Sequence, residues 1–397
     1  MMDEKILLRK KLQKRLEKTL TEDDEEILGE IDRMLLEEKE LSLAQRLSLQ
    51  SELYAAVRRL DVVEELLQMP GVNEIMINGY DRIYIEENGQ LRRWEKSFVS
   101  RERLEDVIQQ IVAGCNRVIN TSMPLADARL SDGTRIHAAL PPVAVDGPVL
   151  TIRRFPQKSI DMDELIRLNT LTGDVACFLQ KLVRSGYSLL IGGGTSAGKT
   201  TFLNALAASI PAEERLITIE DTAELRIPGE RNLVRLEAKN ANLQENRAIT
   251  IRDLIRAALR MRPDRIIVGE VRGEETIDLL QALNTGHEGS LSTAHANTPR
   301  DMIHRLETMA LMGMDMPLEA IRRQIASGID IFVQLGRGKD KKRRLMSVAE
   351  VDGFKDGQVA LHMLYERDWA EDVLKKTGEL KHCEKWEREK NVHEDYV

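Results

Sequence analysis

Eight consecutive residues, Gly193-Gly194-Thr195-Ser196-Ala197-Gly198-Lys199-Thr200, have the spacing G-x-x-x-x-G-K-S/T. Glycines at these positions let the backbone curl so that successive N–H groups point at phosphate oxygens. A helix beginning there adds positive potential, and Lys199 supplies a compact charge for the β and γ oxygens of a nucleotide. Thr200 is placed to ligate Mg²⁺, and Thr201 belongs to the same phosphate-binding run. The apolar stretch SLLIG precedes the motif and the helical TFLNALAAS follows it. A chance glycine turn would lack that strand and helix.

Such a loop needs acidic partners on neighbouring strands, because Mg²⁺ takes oxygen ligands and an attacking water must be oriented or deprotonated. The run RIIVGE delivers Glu270, and RLITIED delivers Glu220 and Asp221, each after an apolar strand pattern. Carboxylates so placed emerge at the carboxyl edge of a parallel sheet, the usual place for ligands. The alternatives are a carboxylate that caps a helix or one that pairs with Arg272. His287 and His295 bracket the strand GSLSTAHA, where either a catalytic or a structural role is open. The absence of a Cys or further His at ligand spacing argues against a metal held by them.

The elements that must position these residues alternate along the chain. SLLIGG, RLITIED, LVRLEA, RIIVGE and GSLSTAHA read as strands, interleaved with helical stretches at 200–209, 250–260, 274–284 and 299–312. That pattern predicts an α/β domain with a mainly parallel sheet flanked by helices over 173–397, its C-terminal extension included. Upstream, EIMING, RIYIEENGQLRRW and ARLSDGTRIHAAL alternate apolar and polar residues around Asn88-Gly89 and Asp132-Gly133, which are hairpin signals. With a helix over 101–116 between them, residues 61–155 read as an α+β domain, and 156–172 as a linker. Residues 1–60 read as a short helical N-terminal module, with Leu12, Leu16, Leu20, Ile27, Ile31, Leu35 and Leu36 at helical spacing. Its basic opening is either a solvated helix face or a contact for acidic lipid. A basic cluster, Lys339 to Arg344, and two strand-like runs, LMSVAEV and QVALHML, lie near the C-terminus; the last residues, 381–397, read as frayed helix or disorder.

Composition bounds the function classes. A chain of 397 residues with 42% hydrophobic and 31% charged residues is ordinary globular material for two or three domains. Fifty-eight Lys and Arg against sixty-six Asp and Glu leave a charge of −8, so no global basic field announces a nucleic-acid partner. Cys115, Cys177 and Cys383 form no C-x-x-C pair, which disfavours a disulfide framework or zinc site and fits a reducing cytosol. No apolar run approaches the roughly 18 residues that span a bilayer, and the first residues lack a signal-peptide core. A cytoplasmic location is expected.

Together these residues resemble the type II/type IV secretion ATPase superfamily, most closely the CpaF-like ATPases of tight-adherence (Flp-type) pili, over roughly residues 65–365. The resemblance is carried by LRMRPDRIIVGEVRG at 259–273, ITIEDTAEL, GHEGSLSTAHANTP and the phosphate loop, in the family's order. It implies a RecA-like P-loop ATPase domain, ATP and Mg²⁺. Glu270 is then expected at the attacking water, Glu220 and Asp221 in the metal and water network, and His287 and His295 in γ-phosphate sensing or coupling. Thr200, Glu220 and Glu270 become the expected Mg²⁺ ligands, partly through water. The family's N-terminal lobe closes over nucleotide with arginines; DGTRIHAA and LTIRRF match that lobe's last strands, which makes Arg135, Arg153 and Arg154 candidates, unless they pair surface carboxylates. Gly273 stands where classical type II members tend to have Asp, and Ser196-Ala197 replaces the commoner Gly-Ser. The resemblance further implies a homo-oligomer, a hexameric ring, working at the inner face of the membrane on a platform protein, with no nucleic acid. Its rivals are a nucleic-acid translocating P-loop motor and a nucleotide-binding module without turnover.

Overall fold

The computed structural model describes residues 2–16, 23–38, 41–87, 90–130, 132–154, 160–229, 231–239, 248–338, 340–368 and 370–387. The chain divides into two compact units, Met1–Gln157 and Lys158–Val397.

The first unit opens with three helices, α1 (Met2–Leu16), α2 (Asp24–Glu37) and α3 (Leu43–Arg58). Asp23 and Ser42 cap α2 and α3 with their side chains. Leu12, Leu16, Ile27, Ile31 and Leu35 fall on one stripe and close a small core with Leu49 and Leu53. Leu36, one position off that stripe, is exposed, and Leu20 lies outside the described residues. Buried Asp61 pairs with Arg9 and accepts from Gln13 Nε2 at 3.1 Å, anchoring α1.

There follow α4 (Val62–Gln68), β1 (Val72–Asn78), β2 (Ile83–Glu87), β3 (Gln90–Arg93), α5 (Arg101–Gly114), β4 (Leu125–Arg129), β5 (Arg135–Ala139) and β6 (Val149–Arg153). The strands form one antiparallel sheet in the order β3-β2-β1-β6-β5-β4. Alternation puts Ile75, Ile77, Ile136, Ala138, Leu150 and Ile152 into a core shared with Leu104, Val107 and Ile111 of α5. The expected turn Asn88-Gly89 lies outside the described residues, while Glu87 and Gln90 on either side pair in register. At the second turn Gly133 takes φ +95° and Asp132 Oδ1 accepts from Thr134 N at 2.9 Å.

The second unit contains α6 (Met162–Arg167), α7 (Gly173–Arg184), β7 (Leu189–Gly193), α8 (Lys199–Ala207), β8 (Leu216–Glu220), β9 (Leu233–Glu237), α9 (Ile251–Ala258) and β10 (Arg265–Val268). It continues with α10 (Glu275–Leu283), β11 (Leu291–Ala294), α11 (Pro299–Gly313), α12 (Leu318–Gly328), β12 (Ile331–Arg337), β13 (Arg343–Lys355), β14 (Gln358–Asp368) and β15 (Val373–Lys376). Nine strands make one sheet, ordered β15-β14-β13-β12-β7-β11-β10-β8-β9. Strands from β12 to β9 in that order run parallel, and β13 to β15 extend the sheet antiparallel. The central strands β7, β8, β10 and β11 are buried along their whole length, whereas β9 at the edge exposes Arg235 and Glu237; Leu189 and Ile191 join the core with α7 and α8, and Leu190 the core with α9 to α12.

Two stretches differ from their sequence-based expectation. Within 156–172, read as a linker, α6 forms under the cap of Asp161, and Met162, Leu165 and Leu171 are buried in the second unit's core. Of the tail read as frayed, residues 381–387 are packed: Tyr187 Oη donates to the His382 carbonyl at 2.6 Å, and Lys385 pairs with Asp330 at 2.8 Å. Residues 388–397 and Lys339 lie outside the described residues. Among the described residues no helix is long and apolar enough to cross a membrane.

Candidate nucleotide site

The phosphate loop joins the end of β7 to the start of α8, at the carboxyl edge of the central strand. Where Thr250 and Thr298 cap α9 and α11 with their side chains, α8 begins at Gly198 with no side-chain cap. The same holds for α7, α10 and α12, but only α8 starts at the end of the glycine loop, where its first-turn N–H groups can meet an anion. Gly198 takes φ +94°, and Ser196 stands at φ +58°, a left-handed conformation unusual for a residue with a Cβ. Arg343 Nε donates to the Ser196 carbonyl at 3.2 Å. Gly194, Thr195 and Ser196 are exposed, Ala197 is buried, and Thr200 and Thr201 are half-buried in the first turn of α8.

Lys199 is 7% exposed and curls back along the loop, Nζ lying 3.2 Å from the Gly193 carbonyl and 3.3 Å from that of Gly194. Burial pushes its ammonium below the ordinary value, and Glu270 opposes the shift. His295, the residue after β11, places its ring nitrogens 3.3 and 3.4 Å from Lys199 Nζ. Its Nε2 also lies 2.8 Å from Glu270 Oε1, outside hydrogen-bond alignment. Burial lowers the imidazole pKa, with Lys199 and Arg272 acting in the same direction and Glu270 against them. The shift favours the neutral ring, in which one nitrogen can accept from the lysine.

Glu270 follows β10 through Gly269. Arg272 Nη2 donates to its Oε2 at 2.9 Å, and Arg272 Nη1 stands 3.5 Å from Asp221 Oδ2. The pairing with Arg272 considered as an alternative thus exists, and it leaves Oε1 facing His295. Glu220 ends β8 and is 3% exposed. Its Oε1 accepts from Glu224 N at 2.8 Å and Leu225 N at 3.0 Å, while Oε2 is buried with no hydrogen-bond partner. Burial raises its pKa to about 7. A Cβ on Gly269 would stand 2.9 Å from Glu220 Cγ, so Glu220 in this position leaves room there for glycine alone.

Lys199, His295, Glu270, Arg272 and Asp221 thus form one connected set of contacts, with Glu220 packed behind Gly269. His287 is not among them: it precedes β11 whereas His295 follows it, so the strand carries it to the opposite sheet edge, where Nδ1 faces the Ala282 carbonyl at 3.3 Å. Arg135, Arg153 and Arg154 belong to the first unit. Arg135 and Arg153 are register partners on β5 and β6, and Arg154 Nη1 donates to the carbonyls of Met69 and Val72 at 2.7 and 3.0 Å. Among the described residues no group of three His, Cys, Asp or Glu could hold a metal. A nucleotide-bound Mg²⁺ does not need one, since it takes most of its ligands from phosphate and water. The orphaned Glu220 Oε2 and the uncapped α8 fit such a pair. Arg343, whose only sequence signal is its membership of a basic cluster, stands on the far side of the loop.

A family model described as Type II/IV secretion system protein matches residues 57–384. A Mycobacterium tuberculosis protein named as a candidate for conjugal transfer is 35% identical over 308 residues, covering 76% of this chain and 86% of its own length. PtlH, a type IV secretion system protein of Bordetella pertussis, is 32% identical over 321 residues, covering 74% of this chain and 94% of its own. Among solved structures, the pilus retraction motor PilT with bound ADP aligns at a TM-score of 0.54 and 19% identity over 85% of this chain and 88% of its own, a likeness of fold. The expected architecture, a RecA-like P-loop domain preceded by an N-terminal α+β domain, is borne out. With most of its length inside that match, the chain is a member of the Type II/IV secretion system protein family.

Proposed function

We propose that this chain is an ATP-hydrolysing motor for pilus assembly or protein secretion, of the CpaF-like kind that serves tight-adherence pili. It acts as a hexameric ring at the cytoplasmic face of the inner membrane, against a platform protein. The observation that carries the reading is the convergence, at one sheet edge, of the uncapped α8 with Lys199, His295 and Glu270. A module that only held nucleotide would have no need of a carboxylate and a neutral imidazole beside the lysine.

The loop N–H groups bind the phosphates, and Lys199 exchanges its loop carbonyls and His295 for the β and γ oxygens. Glu270 orients and deprotonates the attacking water while Arg272 holds its second oxygen in place. His295, touching both Lys199 and Glu270, reports whether the lysine is engaged. Thr200, Glu220 and Glu270 would hold Mg²⁺, partly through water, with Asp221 in the surrounding network. Mg²⁺, when bound, neutralises charge on the phosphates. In a closed ring the N-terminal lobe contributes Arg135, Arg153 or Arg154 to the transferring phosphoryl group; His287 serves the coupling path.

Phosphate release by the purified full chain, compared with Lys199→Ala, tests the reading. The variant should fold, because the Lys199 ammonium sits on loop carbonyls and His295 and not in the apolar core, and should lose turnover. Undiminished hydrolysis in a folded variant would remove the assignment, and stimulation of the parent by DNA would favour the nucleic-acid motor instead.

A further inference from the structure

The basic run ending at Arg343 and Arg344 is not absorbed by the chemistry above. Arg344 is buried and pairs with Asp340, a structural use. Arg343 is exposed and stands elsewhere. Strand β12 runs parallel to β7, with Leu335 opposite Gly193, and its last residue Arg337 pairs with Arg343, the first of β13. Arg343 therefore begins its strand at the same sheet edge as the phosphate loop. Its Nε holds the Ser196 carbonyl at 3.2 Å, and its Cδ would be 3.1 Å from a Cβ on Gly198.

Sheet order decides which end of a nucleotide lies there. His295, Glu270 and Glu220 end β11, β10 and β8, all on one side of β7, whereas β12 and β13 lie on the other. A polyphosphate whose terminal phosphate meets Glu270 and His295 must leave its sugar and base on the opposite side of the loop, over the ends of β12 and β13. Resting on the nucleotide reading above, we infer that Arg343 forms the base-side wall of this site, stacking its guanidinium on the purine ring of a nucleoside di- or triphosphate. A guanidinium can stack in this way because it is planar, delocalised, weakly hydrated and attracted to π faces. The Nε bond to Ser196 fixes the plane of the guanidinium. Stacking reads the face of a base and not its edge, so adenine and guanine benefit alike.

Calorimetric titration of the full chain with ADP, GDP and inorganic pyrophosphate tests this, using the parent, Arg343→Ala and Arg343→Lys, each checked for folding by circular dichroism. Arg343→Ala should weaken ADP and GDP by about tenfold and pyrophosphate by less than about threefold, since the base contact is lost and the phosphate cradle kept. Arg343→Lys, which keeps charge and loses the plane, should recover less than half of that loss. Equal weakening of ADP and pyrophosphate would put Arg343 on the phosphates and overturn the inference. Unchanged affinities would overturn it too, as a surface arginine. A folded parent that binds neither ADP nor pyrophosphate would instead overturn the nucleotide reading itself, and the inference with it.

Discussion

Replacing Glu220 with Gln should flatten the pH dependence of the second unit's stability. The folded carboxyl titrates at about 7 against an ordinary 4.5, because burial disfavours its charged form. Below pH 4.5 the group is protonated in both states. Between 4.5 and about 7 the folded state keeps the proton and the unfolded state has lost it, so stability falls as pH rises through that window and is level above it. The gap corresponds to about 3 kcal/mol, or a midpoint change of about 6–12 °C for a unit of this size. Gln keeps an acceptor for the N–H groups of Glu224 and Leu225, but buries an amide where Oε2 has no partner. That cost, about 1–3 kcal/mol, is independent of pH. The slope therefore carries the test, and the absolute stability does not. Urea titrations followed by far-ultraviolet circular dichroism from about pH 5 to about pH 8 would measure it. A variant that loses stability with pH as steeply as the parent would show that Glu220 is ionised in the folded chain, and would refute the reasoning from its burial.

Glu270→Gln keeps volume and loses the charge that polarises water; equilibrium binding should persist while turnover falls about 100-fold or more, and a parental rate would move the role to Glu220. Arg135→Ala or Arg153→Ala should lower steady-state hydrolysis by up to about a thousandfold without changing the assembly seen by light scattering. Arg154→Ala should in addition destabilise the first unit, since it releases the carbonyls of Met69 and Val72. If all three variants assemble and hydrolyse like the parent, closure of the N-terminal lobe by these arginines is wrong.

Local pattern was enough for the phosphate loop and for the strand ends that bear Glu220 and Glu270, because a turn motif and an apolar run ending in a carboxylate are defined by neighbours in the chain. The helical stripe of the first module was legible for the same reason, apart from Leu36, where a one-residue step rotates the side chain off the buried face. What the sequence left open depends on contacts between distant residues. Only the packed sheet decided that His295 reaches both Lys199 and Glu270 while His287 stands at the other edge, because strand direction converts eight residues of chain into opposite ends of the domain. Glu270's division between Arg272 and His295 likewise needed the order β7-β11-β10-β8. The linker-like stretch 156–172 lacks strand pattern, and its helix is held by burial of Met162 and Leu165 in a core built from far-off segments. Arg343 makes the case most plainly: 147 residues separate it from Ser196, and pairing of β13 with β12, itself beside β7, brings them into contact. Residue type and local spacing specify what chemistry is available, and strand order across the sheet specifies which groups perform it together.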